Sequence, residues 1–325
     1  MDSNFIPLIG SEIALSLYPQ LIKLIPTSIE IQVATRCITY SILAIIGYYI
    51  TTHTKNTHTK NTQTTILTIP TTISTISTST ITTSIIMGLV NIIHIISSYM
   101  CFNVLSSGVG YSIFYIYPIF TLLGRTFIYN EKIDSINYLY ILISILGVYL
   151  ISKHNHTTEH TLEPILEPNL DKKDNFINVN DILNTKNSTI GIVAGIMSAL
   201  TESIIYFMVK DNPISVSPFI QLLKTYLLGG ILSIIYLIQN VSYIDLDYHY
   251  WITLILFNAI IGFVGYLLRF IMIPQLSTLL FNSLIFTGVI FSYIWGYILS
   301  NESINYSNLS GTLLILISIF LINKQ

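Results

Sequence analysis

Apolar residues run along this chain in long blocks separated by brief polar interruptions. Ten blocks reach or approach the roughly 20 residues that a helix needs to cross a bilayer. They cover 5–24, 30–50, 82–102, 106–129, 136–152, 190–209, 214–238, 250–272, 275–299 and 305–323. The first block is the most polar, carrying Glu12, Pro19 and Lys23, and the last two are the cleanest. Junctions such as Asn103 to Leu105 and Ile273 to Pro274 are so short that the flanking helices must turn back as tight hairpins. Two segments break the pattern. From Thr51 to Thr80 the chain is rich in threonine, and HTKNT at 53–57 repeats directly at 58–62. β-Branched threonine is a poor helix former, so a solvated loop is expected there. The stretch 153–188 is polar and acidic and holds Pro164 and Pro168, which reads as a disordered linker. It leaves five apolar blocks on each side.

Composition turns the pattern into a membrane assignment. The 325 residues are 52% hydrophobic and only 9% charged, against about 25% charged in soluble domains. Ten of the 30 charges fall between Lys153 and Asn187, and the mean hydropathy is +0.68. The expected fold is an all-α, multi-pass integral membrane protein whose first partner is the lipid bilayer. A formal net charge of −2 excludes a nucleic-acid surface, which needs a concentrated basic patch. Cys37 and Cys101 lie in apolar runs without CxxC or Cys/His spacing, so they read as small core thiols rather than a disulfide or zinc set. No Walker, HExxH or GxSxG motif occurs. An enzyme, a cofactor and a metal site are therefore not expected, and concentrative transport would draw on an ion or substrate gradient. The N-terminus lacks a basic region ahead of its first apolar block, which argues against a cleaved signal peptide.

The two sets of five blocks resemble each other. Sliding the chain by 171 residues aligns 104–153 with 275–324 without a gap, and 13 of 50 positions are identical. Matches of Ile and Leu mean little in so biased a sequence. The Asn130-Glu131-x-Ile133 and Asn301-Glu302-x-Ile304 match, followed by Asn137 and Asn308, means more. The front of each half also corresponds, with Lys23, Pro26 and Arg36 echoed by Lys210, Pro213 and Lys224. Five is odd, so like halves must cross the membrane in opposite senses. Inverted repeats are a recurrent design of secondary transporters, with the substrate site between the repeats.

Residues 115–151, YIYPIFTLLGRTFIYNEKIDSINYLYILISILGVYLI, resemble the end of an EamA-type domain of the drug/metabolite transporter superfamily. That pattern has a helix with a central Pro, here Pro118, a short loop carrying Glu, and a closing helix with glycines about 9 and 16 residues beyond it. Glu131 is followed at those positions by Tyr140 and Gly147, and Glu302 by Gly311 and Ser318, so each half keeps one of the two. The second copy has Val289 in place of the proline. The resemblance implies ten transmembrane helices as two inverted five-helix repeats, 1–152 and 189–325. It also implies a secondary transporter of a small organic metabolite working by alternating access. The alternatives are a membrane scaffold that keeps the fold without transporting, a lipid flippase or scramblase, and, among transporters, a nucleotide-sugar or phosphate-ester exchanger. The last kind binds phosphate with basic residues on late helices, and the final two blocks carry no Lys or Arg before Lys324.

Ionisable residues within membrane spans are costly and are functional candidates by default. Glu12 and Arg36 lie on the first two blocks of the first half, and Glu202 and Lys224 on the first two of the second. Each Glu is expected to face its cation across a hairpin, either neutralising it or serving a substrate or coupled ion or proton. Depth speaks against close pairing in the first half. At 1.5 Å per residue, Glu12 lies about 18 Å from the hairpin and Arg36 about 10 Å. His94 is read either as a cavity residue or as a histidine bonded by a neighbouring helix. Arg125 and Arg269 sit toward block ends and are expected to snorkel, and Glu131 and Glu302 to cap helix ends. Tyr111 and Tyr115, four residues apart, offer a lining stripe. Six Asn-x-Ser/Thr sequons, from Asn155 to Asn308, share one side of the ten-block topology, which places both termini inside.

Overall fold

The computed structural model describes residues 5–60, 78–129, 134–158, 179–212, 216–240 and 247–323, and among them all regular structure is helical. Every expected apolar block is occupied by helix, but several are broken. The first block forms α1 (Ile6–Leu15) and α2 (Tyr18–Leu24), followed by α3 (Ile29–Lys60) and α4 (Thr78–Val104). The fourth block splits into α5 (Ser107–Phe114) and α6 (Tyr117–Tyr129), and α7 runs from Ser135 to Thr158. The second half comprises α8 (Val179–Lys210), α9 (Pro218–Asn240), and α10 (Tyr248–Leu256), joined through a π-helical turn at Phe257–Gly262 to α11 (Phe263–Met272). It ends with α12 (Thr278–Leu284), α13 (Phe286–Ser300) and α14 (Tyr306–Asn323). Seven helical stretches among the described residues are long and apolar enough to cross a membrane, three of them running across a break, and Ser135–Ile151 and Tyr306–Ser318 are shorter apolar helices.

The breaks have local causes. Pro19 and Pro118 each stand second in the helix after a break. A proline there lacks the N–H that a continuous helix would need but fits a helix's first turn. In α12–α13 no proline is present. Instead Thr287 Oγ1 donates to the Leu284 carbonyl at 2.8 Å and Gly288 N donates to Ile285 O at 2.9 Å, a tightened turn that ends one helix and starts the next. Expectation and structure differ at the polar segments. α3 continues to Lys60 and α4 begins at Thr78, and α7 and α8 likewise extend into 153–188, to Thr158 and from Val179. Helix propensity is a weak local preference, and a helix already formed keeps its backbone bonds by continuing. The rest of the threonine-rich segment and the linker lie outside the described residues.

Helix surfaces are inside-out relative to a soluble protein. On α4, Ile81, Ile85, Ile86, Leu89, Ile93, Ile96 and Met100 are exposed, whereas Asn91, His94, Ser97 and Ser98 are buried. On α9, Leu227, Ile231, Leu232, Ile234, Ile235 and Ile238 face out while Gln221, Thr225 and Ser233 face in. Contiguous apolar surface on this scale requires lipid rather than water. The chain is an integral multi-pass membrane protein.

The helices gather into two compact units, each drawing on both halves of the sequence. One comprises 1–15, 25–96 and 204–281, and the other 16–24, 97–203 and 282–325. In the first unit α3 packs along α9 and α1 along α11; in the second α7 packs along α14 and α5 along α13. The α3–α9 contact is close because a Cβ on Gly230 would fall 2.6 Å from Ser41 Oγ. In the α7–α14 pair, a Cβ on Gly147 would lie 2.6 Å from the Gly311 carbonyl oxygen, and one on Gly311 would lie 2.7 Å from that of Gly147. The other two positions counted from the loop glutamates also meet, since Ser318 Oγ donates to the Tyr140 carbonyl. Element limits follow the sequence register: α5 and α12 begin at Ser107 and Thr278, α6 and α13 end at Tyr129 and Ser300, and α7 and α14 begin at Ser135 and Tyr306. Each pair is 171 residues apart.

Candidate functional site

The first unit contains a buried polar seam built from α1, α3, α9 and α11. Arg36 on α3 is 2% exposed. Its Cζ lies 4.7 Å from the ring centre of Tyr266, 5.4 Å from that of Tyr40 and 5.8 Å from that of Tyr226. Nη2 donates to Tyr226 Oη at 3.1 Å. Tyr40 follows Arg36 by one helical turn, so α3 itself supplies one wall, and α9 and α11 supply the other two. A cation within about 6 Å of aromatic faces gains up to about 2 kcal/mol when desolvated, which offsets part of the cost of burying it.

Arg269 lies three residues beyond Tyr266 and hence on the same face of α11. It is 1% exposed. Its Nε stands 3.7 Å from Oε1 of Glu12, which is fully buried, and its Cζ lies 5.8 Å from the ring centre of Phe281. At 3.7 Å the contact is an ion pair rather than a hydrogen bond. Glu12 is held at that depth by the docking of α1 on α11. Ser11 Oγ donates to the Gly265 carbonyl at 2.8 Å, and a Cβ on Gly265 would come within 3.0 Å of Leu15. The π-helical turn before α11 contributes as well. One extra residue in a helix rotates everything after it by about 100°, which sets the direction of Tyr266 and Arg269. Such turns occur frequently at functional sites.

One expectation is corrected here. Arg269 does not snorkel to an interface, because it is buried and its Nε meets the carboxylate of Glu12. α11 thus brings a cation within α1's reach. A signal for Arg269 was present in the run Gly262-x-x-Gly265-Tyr266-x-x-Arg269, where small and polar residues recur at helical spacing.

The other candidates distribute as follows. His94 is buried on α4, one turn after Asn91, whose Nδ2 donates to the Thr225 carbonyl at 3.1 Å beside Tyr226. Lys224 on α9 is half-buried. Both belong to the first unit with Glu12 and Arg36, whereas Glu202, Tyr111 and Tyr115 belong to the second. Glu202 is buried on α8. Tyr111 and Tyr115 share one face, with ring centres 4.9 Å apart, inside an aromatic cluster with Phe102, Phe114 and Tyr117. Cys37 and Cys101 are both free and buried, the core thiols that the sequence suggested. Among the described residues no three His, Cys, Asp or Glu side chains gather as a metal set.

The second unit carries a polar cluster that joins Glu302 and Asn301 of one loop to Lys23, a connection that nothing in the sequence suggested. Asn301 ends α13 in the left-handed conformation, φ 50°, which asparagine tolerates well. The Glu302 N–H then bonds back to Gly296 O at 3.0 Å. Its carboxylate accepts from the backbone N–H and the hydroxyl of Ser107, both at 2.8 Å, at the start of α5, and forms an ion pair with Lys23 at the end of α2. Gln20 Nε2 donates to Ser107 Oγ at 2.5 Å, and Ser300 Oγ donates to Gln20. Glu302 thus caps a helix, as expected for it. Glu131 lies outside the described residues.

Comparison with known proteins agrees with this architecture. Residues 189–324 match the EamA-like transporter family. The resemblance seen in the first half to the drug/metabolite transporter superfamily therefore has a direct counterpart in the second. Proteins of this family transport solutes and are not generally enzymes. A crystal structure of a protein aligns with 98% of this chain and 97% of its own at a TM-score of 0.55 and 10% identity, a likeness of fold alone. No curated protein sequence matches the chain. The second half of this membrane protein thus resembles a transporter family.

Proposed function

We propose that this EamA-like protein is a secondary transporter that moves a small organic metabolite by alternating access. The observation that carries the reading is the seam of Glu12, Arg36 and Arg269, buried within helices whose outer faces are apolar. Ionisable groups at such depth are expensive and mark solute or ion pathways. Ten spans arranged as two inverted five-helix repeats, 1–152 and 189–325, complete the reading. It is supported by the 171-residue register shared by α5 to α7 with α12 to α14, and by a family match that spans the second repeat. Both termini lie inside. Arg36 and Glu12 act on the solute or a coupled ion, with His94 and Lys224 beside them. Glu202, Tyr111 and Tyr115 contribute from their own unit.

Purified protein in liposomes, preloaded and challenged with pooled metabolites, tests this. Counterflow of at least one solute class that is lost in protein-free vesicles is the expected result. No counterflow for any class favours a scaffold, and movement of headgroup-labelled lipid in the same vesicles favours a scramblase.

A further inference from the structure

We propose that the break between α1 and α2, at Ser16–Leu17, is a hinge about which the two compact units reorient, with α1 travelling in one and α2 in the other. The hinge rests on the alternating-access reading for its purpose and locates one pivot of that motion. The division of the chain falls between Leu15 and Ser16, so the first apolar block begins in one unit and ends in the other. Each piece is bonded to its own unit. α1 is held to α11 by the Ser11 hydroxyl on the Gly265 carbonyl, by the Glu12–Arg269 ion pair, and by Leu15 against Gly265. α2 is held to α13 and α5. Trp295 Nε1 donates to Ser16 Oγ at 3.1 Å, Gln20 accepts from Ser300 and donates to Ser107, and Lys23 pairs with Glu302. Such polar contacts tie a short helix to a particular neighbour in lipid, where no hydrophobic force selects partners.

Between the two anchors the helix is interrupted. Ser16 and Leu17 form a turn. Pro19 has no N–H for the Leu15 carbonyl, and its ring crowds that oxygen. Helical bonding restarts at the Leu17 carbonyl, which accepts from Gln20 N at 3.0 Å and Leu21 N at 3.1 Å. A turn that joins two firmly docked pieces confines a change of angle to the dihedrals of a few residues, which is how a hinge works. The similar break at Pro118 has a different consequence, because α5 and α6 both lie in the second unit. That break shapes one body, whereas the break at Pro19 joins two. Of the other crossings, the one after Leu24 lies at a helix end, and those inside α4, α8 and α12 lie in unbroken helix. Those helices can only bend. In α8, Thr201 Oγ1 lies 2.9 Å from the carbonyls of both Met197 and Ser198, just before the crossing, and such back-bonding bends a helix without interrupting it.

Spin labels on the full-length protein in liposomes, in a Cys37→Ala and Cys101→Ala background, read the motion as distance distributions by pulsed electron–electron resonance. Cysteines placed at exposed Thr52 and Gln239 report within the first unit, at exposed Ser135 and Ser303 within the second, and at Gln239 with Ser303 between the two. The between-unit distribution should be at least twofold wider than either within-unit distribution. Pro19→Ala, which restores the missing backbone donor, should narrow it at least twofold, and Pro118→Ala should leave it unchanged. Should Pro19→Ala not fold, Leu17→Gly should widen it instead. A between-unit distribution as narrow as those within units overturns the hinge, as does one that neither Pro19→Ala nor Leu17→Gly alters, or that Pro118→Ala alters equally. Liposome counterflow reports separately on transport. A wide distribution that depends on Pro19, without counterflow of any pooled metabolite, refutes the transporter reading and leaves the hinge standing, while counterflow with a narrow distribution does the reverse.

Discussion

Glu302 should be worth more to stability than an ordinary loop carboxylate, and the structure allows the amount to be estimated. Its side chain is 18% exposed and that of Lys23 is 21%, between the exposed pairs that contribute about 0–1 kcal/mol and the buried pairs whose disruption costs about 3–5 kcal/mol. Besides the ion pair, the carboxylate takes two bonds from Ser107, each charge-assisted and worth about 1.5–3 kcal/mol. The values overlap, because losing the carboxylate lets Ser107 and Lys23 find water at the part-open edge. Glu302→Ala should therefore destabilise by about 2–4 kcal/mol. Glu302→Gln, which can still accept from the Ser107 N–H, should cost about half as much. Lys23→Met added to Glu302→Gln should cost less than the two single changes summed, because each single change leaves a lone charge behind and the double change leaves none. Reversible unfolding in mixed micelles, followed by tryptophan fluorescence and analysed as a double-mutant cycle, measures all three. A Glu302→Ala shift below about 0.5 kcal/mol, or strict additivity of Lys23→Met and Glu302→Gln, would show that the cluster does not brace α2, α5 and α13.

Gly147→Leu should destabilise by at least about 1–3 kcal/mol through overpacking against the Gly311 backbone, and unfolding of that variant at wild-type denaturant concentration would contradict the close approach of α7 and α14. Arg269→Gln alone should cost about 3–5 kcal/mol by leaving Glu12 in a low-dielectric core, and Glu12→Gln with Arg269→Gln should recover most of it; a double variant no more stable than the single refutes the pairing. Fragments 1–165 and 175–325, co-expressed, should assemble, and failure to co-purify while the intact chain folds would mean that the linker does more than join. Tags placed at 130–135 and at 301–305 should report opposite sides of the membrane if the repeats are inverted, and the same side if they are not. Glu202→Gln with Lys224→Met should fold and fail to transport, which a wild-type counterflow rate in liposomes would contradict.

Much of the fold was legible because lipid imposes a length and a composition on every span, and both can be read in one dimension. The helix breaks at Pro19 and Pro118 were visible as prolines but read as features within continuous spans. The break at Ile285 had no such sign, since it depends on where the Thr287 hydroxyl finds a carbonyl. Charge pairing was read less well. Counting residues from a hairpin gave depths for Glu12 and Arg36 that did not agree, and it gave no hint of the cation on α11 that meets Glu12. Its partner Arg269 was misread because distance from the helix end along the chain says nothing about which way the face is turned. The π-helical turn at Phe257–Gly262 sets that face, and π geometry leaves little trace in a sequence.

The repeat shows what kind of information survives divergence. Between Ser107–Tyr129 and Thr278–Ser300 few residues are identical, and one copy has lost its proline, yet both keep a break near the middle and end in the same register. A break can be made by a missing N–H or by a hydroxyl that competes for a carbonyl, so the geometry constrains the chain more tightly than any one residue does. The α7–α14 crossing follows the same logic. Two contact positions per helix must admit a neighbouring backbone. At one crossing both partners are glycine, and at the other Ser318 replaces the missing space with a hydrogen bond to Tyr140. Small residues and hydroxyls are the means by which helices associate in lipid, where no hydrophobic force draws them together. Selection on the crossing therefore preserves a small or bonding side chain and not a letter. That is why each copy could keep a different one of the two glycines without the pair losing its contact.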